Sequence, residues 1–220
     1  MHDVGWHYER ACGRIDALVR PLPPEHWDLA VPACPGWRVR DVLAHLVGGP
    51  EDAAAGRLDG IPTDEQTAAQ VDRHRTETPI ELLDTWRDMC PLVADAITKA
   101  KIWPAAFDAV THEQDLRGAL GQPGARDDES VEDFARMSVR GLDAPVPLVF
   151  DLGTERIAAG GTSLSDEHAL TLTTTAFEVF RLRLGRRSRR QVEAMAWSAD
   201  PVSVLAHLFV FGPSPLDIIE

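Results

Sequence analysis

Asp108 and His112 stand four residues apart in FDAVTHEQDLRGAL, residues 107–120. On a helix that spacing places both side chains on one face, and Asp115 falls on the same face. A carboxylate and an imidazole one turn apart can chelate a cation, as two histidines do at this spacing in helical zinc motifs. A third ligand must come from another helix, and His45 is the best candidate. It sits in ACPGWRVRDVLAHLVGG, residues 33–49, beside Val42 and on the flank of an apolar stripe, near Asp41, Gly49 and Asp52. Two imidazoles and one carboxylate leave a coordination position open, which favours a catalytic metal over a structural one. Zinc suits such a set, and iron, nickel and manganese accept the same ligand types. On spacing alone the plainer reading comes first. D-x-x-x-H occurs often by chance, His112 can pair with Asp108 on a wet surface, and His45 can be a packed histidine satisfied by a neighbour.

Other chemistry is sparse. The chain has no nucleophile elbow, no Gly-rich phosphate loop and no CxxC motif. Cys34 reads as a small packed residue or loop element rather than a site thiol. Asp115 is a candidate catalytic residue that would orient His112 or a bound water; capping or solvating its helix is the alternative. Arg75 is the candidate cofactor-binding residue and, like Arg73, could grip a carboxylate with both nitrogens; a solvated charged face is the alternative. Arg186, next to Arg187 after the turn at Gly185, is a second candidate catalytic residue, although arginines at a helix end commonly just favour its dipole. Trp37, Trp86 and Trp103 read as packing residues.

The elements that must position these groups are mainly helical. Tyr8, Ala11, Cys12, Ile15, Leu18, Val19 and Leu22 recur at helical spacing until Pro21, Pro23 and Pro24 stop the run. A second helix is predicted from about Val39 to Leu58, and a polar one from Asp64 to Thr76. Thr78-Pro79-Ile80-Glu81 has the form of a capping box opening a fourth helix, in which Pro91 should introduce a kink. A fifth spans about Ala105 to Leu120 and ends at Gly121. Long segments of this kind suit an up-and-down four-helix bundle. After a short helix over Val131 to Val139, PLVFDL and HALTLTTT alternate like strands. Thr175 to Glu178 and Ser188 to Gln191 have the form of two more capping boxes. The expected fold is therefore mainly α with a small α+β domain, divided as 1–141 and 142–220.

The totals narrow the function. The 220 residues carry a net charge of -13, which argues against nucleic acid and anionic membranes as partners. Three irregularly spaced cysteines are not a disulfide framework. The first residues lack an apolar signal core and no run reaches the roughly 20 apolar residues of a spanning helix, so a cytoplasmic protein is expected. Monomer and homodimer are both compatible with the acidic surface. Only Lys99 and Lys101 among 22 basic residues are lysine, a bias that fits a high-GC bacterial genome.

PACPGWRVRDVLAHLVGG resembles the N-terminal motif of the mycothiol-dependent maleylpyruvate isomerase family, which is related to the DinB-like helical bundles. FDAVTHEQDLRGALG is similar to that family's second motif, and FEVFRLRLGRRSRRQVEAMAWSADP to its C-terminal pattern. The likeness runs in order along nearly the whole chain. It implies a DinB-like bundle holding a divalent metal, usually zinc, followed by a small domain similar to sterol carrier proteins. It maps the metal ligands onto His45, Asp108 and His112. Aspartate stands where the isomerase itself is expected to have glutamate, so the helices must sit closer or a water must complete the shell. The resemblance also implies mycothiol as a thiol cofactor, which would spare the protein a nucleophile of its own. A metal-activated thiol could isomerise a small electrophile or be transferred to it. A non-catalytic small-molecule or metal-binding protein of the same fold is the alternative.

Overall fold

The structure, a computed structural model, describes residues 2–220. It divides into two compact units, residues 1–123 with 220, and residues 124–219.

The first unit contains α1 (Val4–Val19), α2 (Val39–Ala54), α3 (Asp64–Arg73), α4 (Pro79–Ala100) and α5 (Pro104–Leu120). Their ends follow local chemistry. Asp3 accepts the Trp6 N–H at the start of α1, and Thr78 and Glu81 form the expected reciprocal box with Pro79 in the first turn of α4. Gly121, at φ 61°, closes α5 in the left-handed conformation that glycine adopts without a Cβ clash. Helix α4 continues through Pro91, so the proline does not end the element.

Helix α1 packs against α4 and α5, and α2 packs against the same two. Helices α1 and α2 therefore face each other across the bundle. This refines the up-and-down expectation: residues 20–38 are long enough to cross the bundle rather than turn tightly into a neighbour. Tyr8, Ile15, Leu43, Leu82, Leu83, Trp86 and Leu116 are fully buried. The rotation of α5 is held by Glu113, which is buried and receives Arg14 Nε at 2.9 and 2.8 Å and Arg117 Nε at 3.0 Å.

The second unit holds α6 (Glu129–Arg140), β1 (Leu148–Asp151), β2 (Arg156–Ala158), β3 (Leu170–Thr173), α7 (Ala176–Arg183), α8 (Arg189–Glu193) and β4 (Ala196–Trp197). The sheet order is β2-β1-β3-β4; β1 and β3 run parallel and the outer pairs antiparallel. Phe134 of α6 meets Phe180 of α7 at a ring separation of 6.2 Å. That packing places α6 in this unit, whereas the sequence expectation put the division after residue 141. Strands β2 and β4 have three and two residues, too few for a visible alternation. Ser188 and Gln191 form the expected capping box. Thr175 caps α7 without the reciprocal half, because the Glu178 carboxylate binds Arg187 at 2.7 and 2.8 Å.

No disulfide joins the cysteines among the described residues. None of the described helices is long and apolar enough to cross a membrane.

Candidate metal centre

Helix α2 buries Val39, Val42, Leu43, Leu46 and Val47, and this apolar packing carries His45 inward. Helix α5 contributes Asp108 and His112 from successive turns, with Ala109 and Val110 fully buried beside them. The three groups meet. His45 Nε2 lies 3.2 Å from Asp108 Oδ2, and His112 Nε2 lies 3.4 Å from Asp108 Oδ1. The two imidazole rings stand 5.1 Å apart and nearly perpendicular. Trp37 packs over both, at 5.1 Å from His45 and 6.1 Å from His112. The imidazoles are 6% exposed and the Asp108 side chain 44%, so the cluster opens on its carboxylate side.

The other ring nitrogens are engaged. His45 Nδ1 lies 2.7 Å from Gln70 Oε1. His112 Nδ1 lies 2.9 Å from Asp115 Oδ2, whose other neighbour is Cys34 Sγ at 3.3 Å. Cys34 Sγ is also 3.7 Å from His112 Nδ1. If each Nδ1–H is donated outward, each Nε2 faces the Asp108 carboxylate and would become a lone-pair donor on the shared side when a cation replaces its proton.

The electrostatics are those of opposite charges that stabilise one another. Burial works against charge on His112, but the Asp108 carboxylate, helped by Cys34 and Asp115, raises its pKa well above the usual imidazole value. Burial likewise works against the Asp108 charge, and the two histidines outweigh it and hold the carboxyl well below its ordinary range.

The donor set fits a divalent metal. One atom each from His45, Asp108 and His112 lies within 4.8 Å of the others. The two imidazoles approach different oxygens of Asp108, so a single cation would be held by two imidazole nitrogens and by one or both carboxylate oxygens. The shorter aspartate reaches both imidazoles because α2 and α5 pack directly on each other. Three protein ligands leave room for an exogenous donor.

Asp115 joins this group as the partner of His112 Nδ1, fully buried. Arg75 does not join it: its side chain is exposed and pairs with exposed Asp72 at 3.5 Å. Arg73 is committed to Glu51 at 3.0 Å and Asp52 at 2.6 Å. Arg186 belongs to the second unit, where its guanidinium donates to the Leu184 carbonyl at 2.8 Å. Sequence reasoning missed Gln70 and, for Cys34, preferred a packing role over that of a second thiol in the site. Gln70 carries no motif signal, because it lies on the polar helix. Its counterpart signal is Gly48, one turn beyond His45: a Cβ there would lie 2.7 Å from Gln70 Cβ, so only glycine lets α3 approach.

Residues 8–106 match the family model described as the mycothiol maleylpyruvate isomerase N-terminal domain. The match includes His45 and stops short of Asp108 and His112. No curated protein matches the chain. Two solved structures are similar. One is a histidine-to-alanine mutant of the mycothiol-dependent maleylpyruvate isomerase, at TM-score 0.58 and 12% identity, covering 89% of this chain and 92% of that one. The other is the mycothiol-dependent maleylpyruvate isomerase, at TM-score 0.53 with the same identity and coverage. Residues 8–106 thus match the mycothiol maleylpyruvate isomerase N-terminal domain, within a chain similar in fold to the isomerase over most of its length.

Proposed function

We propose that the chain is a divalent-metal enzyme that uses mycothiol to isomerise a small electrophile or to transfer sulfur to it. The observation that carries this reading is the convergence of His45 Nε2, His112 Nε2 and the Asp108 carboxylate on one side, where the imidazoles are buried and the carboxylate is half-exposed, with both Nδ1 atoms tied back to the protein. Zinc is the metal of choice for this donor set, with nickel, iron and manganese as alternatives. When bound, the cation would hold an exogenous thiol as thiolate at neutral pH. The chain's own task is positional. His45 and His112 bind from two helices, Asp115 fixes the His112 ring, and Trp37 shields both imidazoles from water. The half-exposed side at Asp108 is the way in for thiol and electrophile. The two structural neighbours carry mycothiol dependence and maleylpyruvate in their names, which makes both compounds the first to try.

The test has two parts. Metal analysis of the purified protein should find about one divalent ion per chain, lost in His45→Ala. An activity screen with maleylpyruvate and a panel of electrophiles should give turnover only when mycothiol is present. Absence of metal from the wild type would end this reading. Metal without turnover for every substrate would leave a metal-binding protein of the same fold.

A further inference from the structure

The hydrogen bond behind His45 continues into the protein, and its polarity is fixed at the far end. Gln70 is fully buried on α3. Its Oε1 lies 2.7 Å from His45 Nδ1, and its Nε2 donates to Asp52 Oδ2 at 2.8 Å. Asp52, one helical face with His45 and two turns along α2, is itself buried. Its other oxygen, Oδ1, accepts Arg57 Nε and Arg73 Nη2, both at 2.6 Å. Burial raises the Asp52 pKa, but Gln70, Arg57 and Arg73 together outweigh it and keep the carboxyl below its usual value. An ionised carboxylate only accepts. The amide nitrogen of Gln70 must therefore face Asp52, and its carbonyl must face His45. A carbonyl also only accepts, so a proton must sit on His45 Nδ1, and Nε2, which faces the Asp108 carboxylate, is the nitrogen at which a cation would take a proton's place.

We propose that Asp52 and Gln70 are positioning residues that set the protonated nitrogen of His45, with Arg57 and Arg73 anchoring the relay. The inference rests on the metal reading for its purpose and on hydrogen-bond polarity for its content. It also explains an asymmetry. His112 is backed directly by a carboxylate, whereas His45 is backed by an amide whose direction a more distant carboxylate fixes. Gly48 admits the Gln70 stem between the two α2 residues it connects.

The test exchanges the two groups. In Asp52→Asn the new amide can donate to Gln70 Oε1, which turns the Gln70 amide over and presents its N–H to His45 Nδ1. The ¹⁵N shift of His45 Nδ1 in zinc-free protein should then change from the N–H type to the pyridine type. Zinc affinity, read by competition with a chromophoric chelator, should fall about 10- to 100-fold. The double variant Asp52→Asn with Gln70→Glu puts an acceptor-only carboxylate back on His45 and should restore both readouts at unchanged total charge. Gln70→Met keeps the bulk, removes the acceptor, and should lose the N–H-type signal and the affinity even if the Asp52 variants fold poorly. An N–H-type Nδ1 with wild-type zinc affinity in folded Asp52→Asn or Gln70→Met would overturn the relay, as would a folded double variant that restores neither. Failure of the wild type to bind zinc would instead overturn the metal reading, and the ¹⁵N shifts would still decide the relay.

Discussion

Asp115 holds His112 from the side away from the shared cluster: its Oδ2 lies 2.9 Å from Nδ1, and its side chain is fully buried. The contact fixes both the ring's orientation and the nitrogen left facing Asp108. Removing such a carboxylate behind a metal-binding histidine weakens binding by about 10- to 100-fold. Asp115→Ala should show a loss of that size in a zinc competition titration. Asp115→Asn, which still offers a carbonyl oxygen, should lose less. Equal affinity in Asp115→Ala and the wild type would remove Asp115 from the site.

The grouping of His45, Asp108 and His112 was legible in the sequence in two steps. Asp108 and His112 lie on one helix, so i, i+4 geometry puts them together. His45 was joined to them by the resemblance of its motif, since spacing alone favoured a packed histidine. The groups behind them were not legible. Gln70 comes from a helix whose residues are mostly polar, and nothing in its own segment distinguishes a buried amide from a solvated one. Cys34 sits in the turn where Val31 N–H donates to Trp37 O, and only that closure carries its sulfur to Asp115. The limit of the second unit was hidden for a related reason. Helix α6 has an amphipathic pattern that suits any apolar surface, and the sequence does not say which one it covers.

Two adjacent glycines of α2 should respond unequally to alanine. At Gly48 the new Cβ would lie 2.7 Å from Gln70 Cβ and 3.2 Å from Gln70 Cα, a clash that requires α3 to move. Overpacking of this kind costs about 1–3 kcal/mol, and here it also displaces the acceptor of His45. At Gly49 nothing beyond the chain neighbours lies within 4 Å, and the gain in helix propensity is offset by the Pro50 ring, which disfavours a Cβ on the helical residue before it, so alanine should be close to neutral. Urea unfolding should place Gly48→Ala below both the wild type and Gly49→Ala. Zinc affinity should fall only in Gly48→Ala.

Asp52 should contribute to the acid limb of the stability curve. Its folded pKa lies below the ordinary value of 3.8, with burial opposing and Gln70, Arg57 and Arg73 producing the net decrease. A carboxylate with a depressed folded pKa contributes stability that is fully present above the unfolded value. That contribution is lost as pH falls from there through the folded pKa, because the unfolded chain takes up the proton first. Urea midpoints of zinc-free protein should therefore decline more steeply below about pH 4 in the wild type than in Asp52→Asn. Parallel acid limbs for the two proteins would show that Asp52 has the same affinity for protons folded and unfolded.

Tyr8 and Trp86 join α1 to α4 by a buried polar contact that has no part in the metal site. Trp86 Nε1 donates to the Tyr8 hydroxyl at 2.9 Å, and both side chains are 2% exposed. The rings meet edge to face at 6.3 Å. Tyr8→Phe keeps the ring packing and removes the acceptor, so the indole N–H stays buried without it. An unsatisfied buried donor costs about 1–3 kcal/mol, more than the net value of the hydrogen bond itself. The urea midpoint should fall accordingly with an unchanged slope, since the surface exposed on unfolding is the same. Zinc affinity should change little, because the hydrogen bond removed does not involve His45, Asp108, His112 or the groups behind them. A loss of metal in Tyr8→Phe would mean that the α1–α4 contact controls the spacing of α2 and α5, which both pack against those helices.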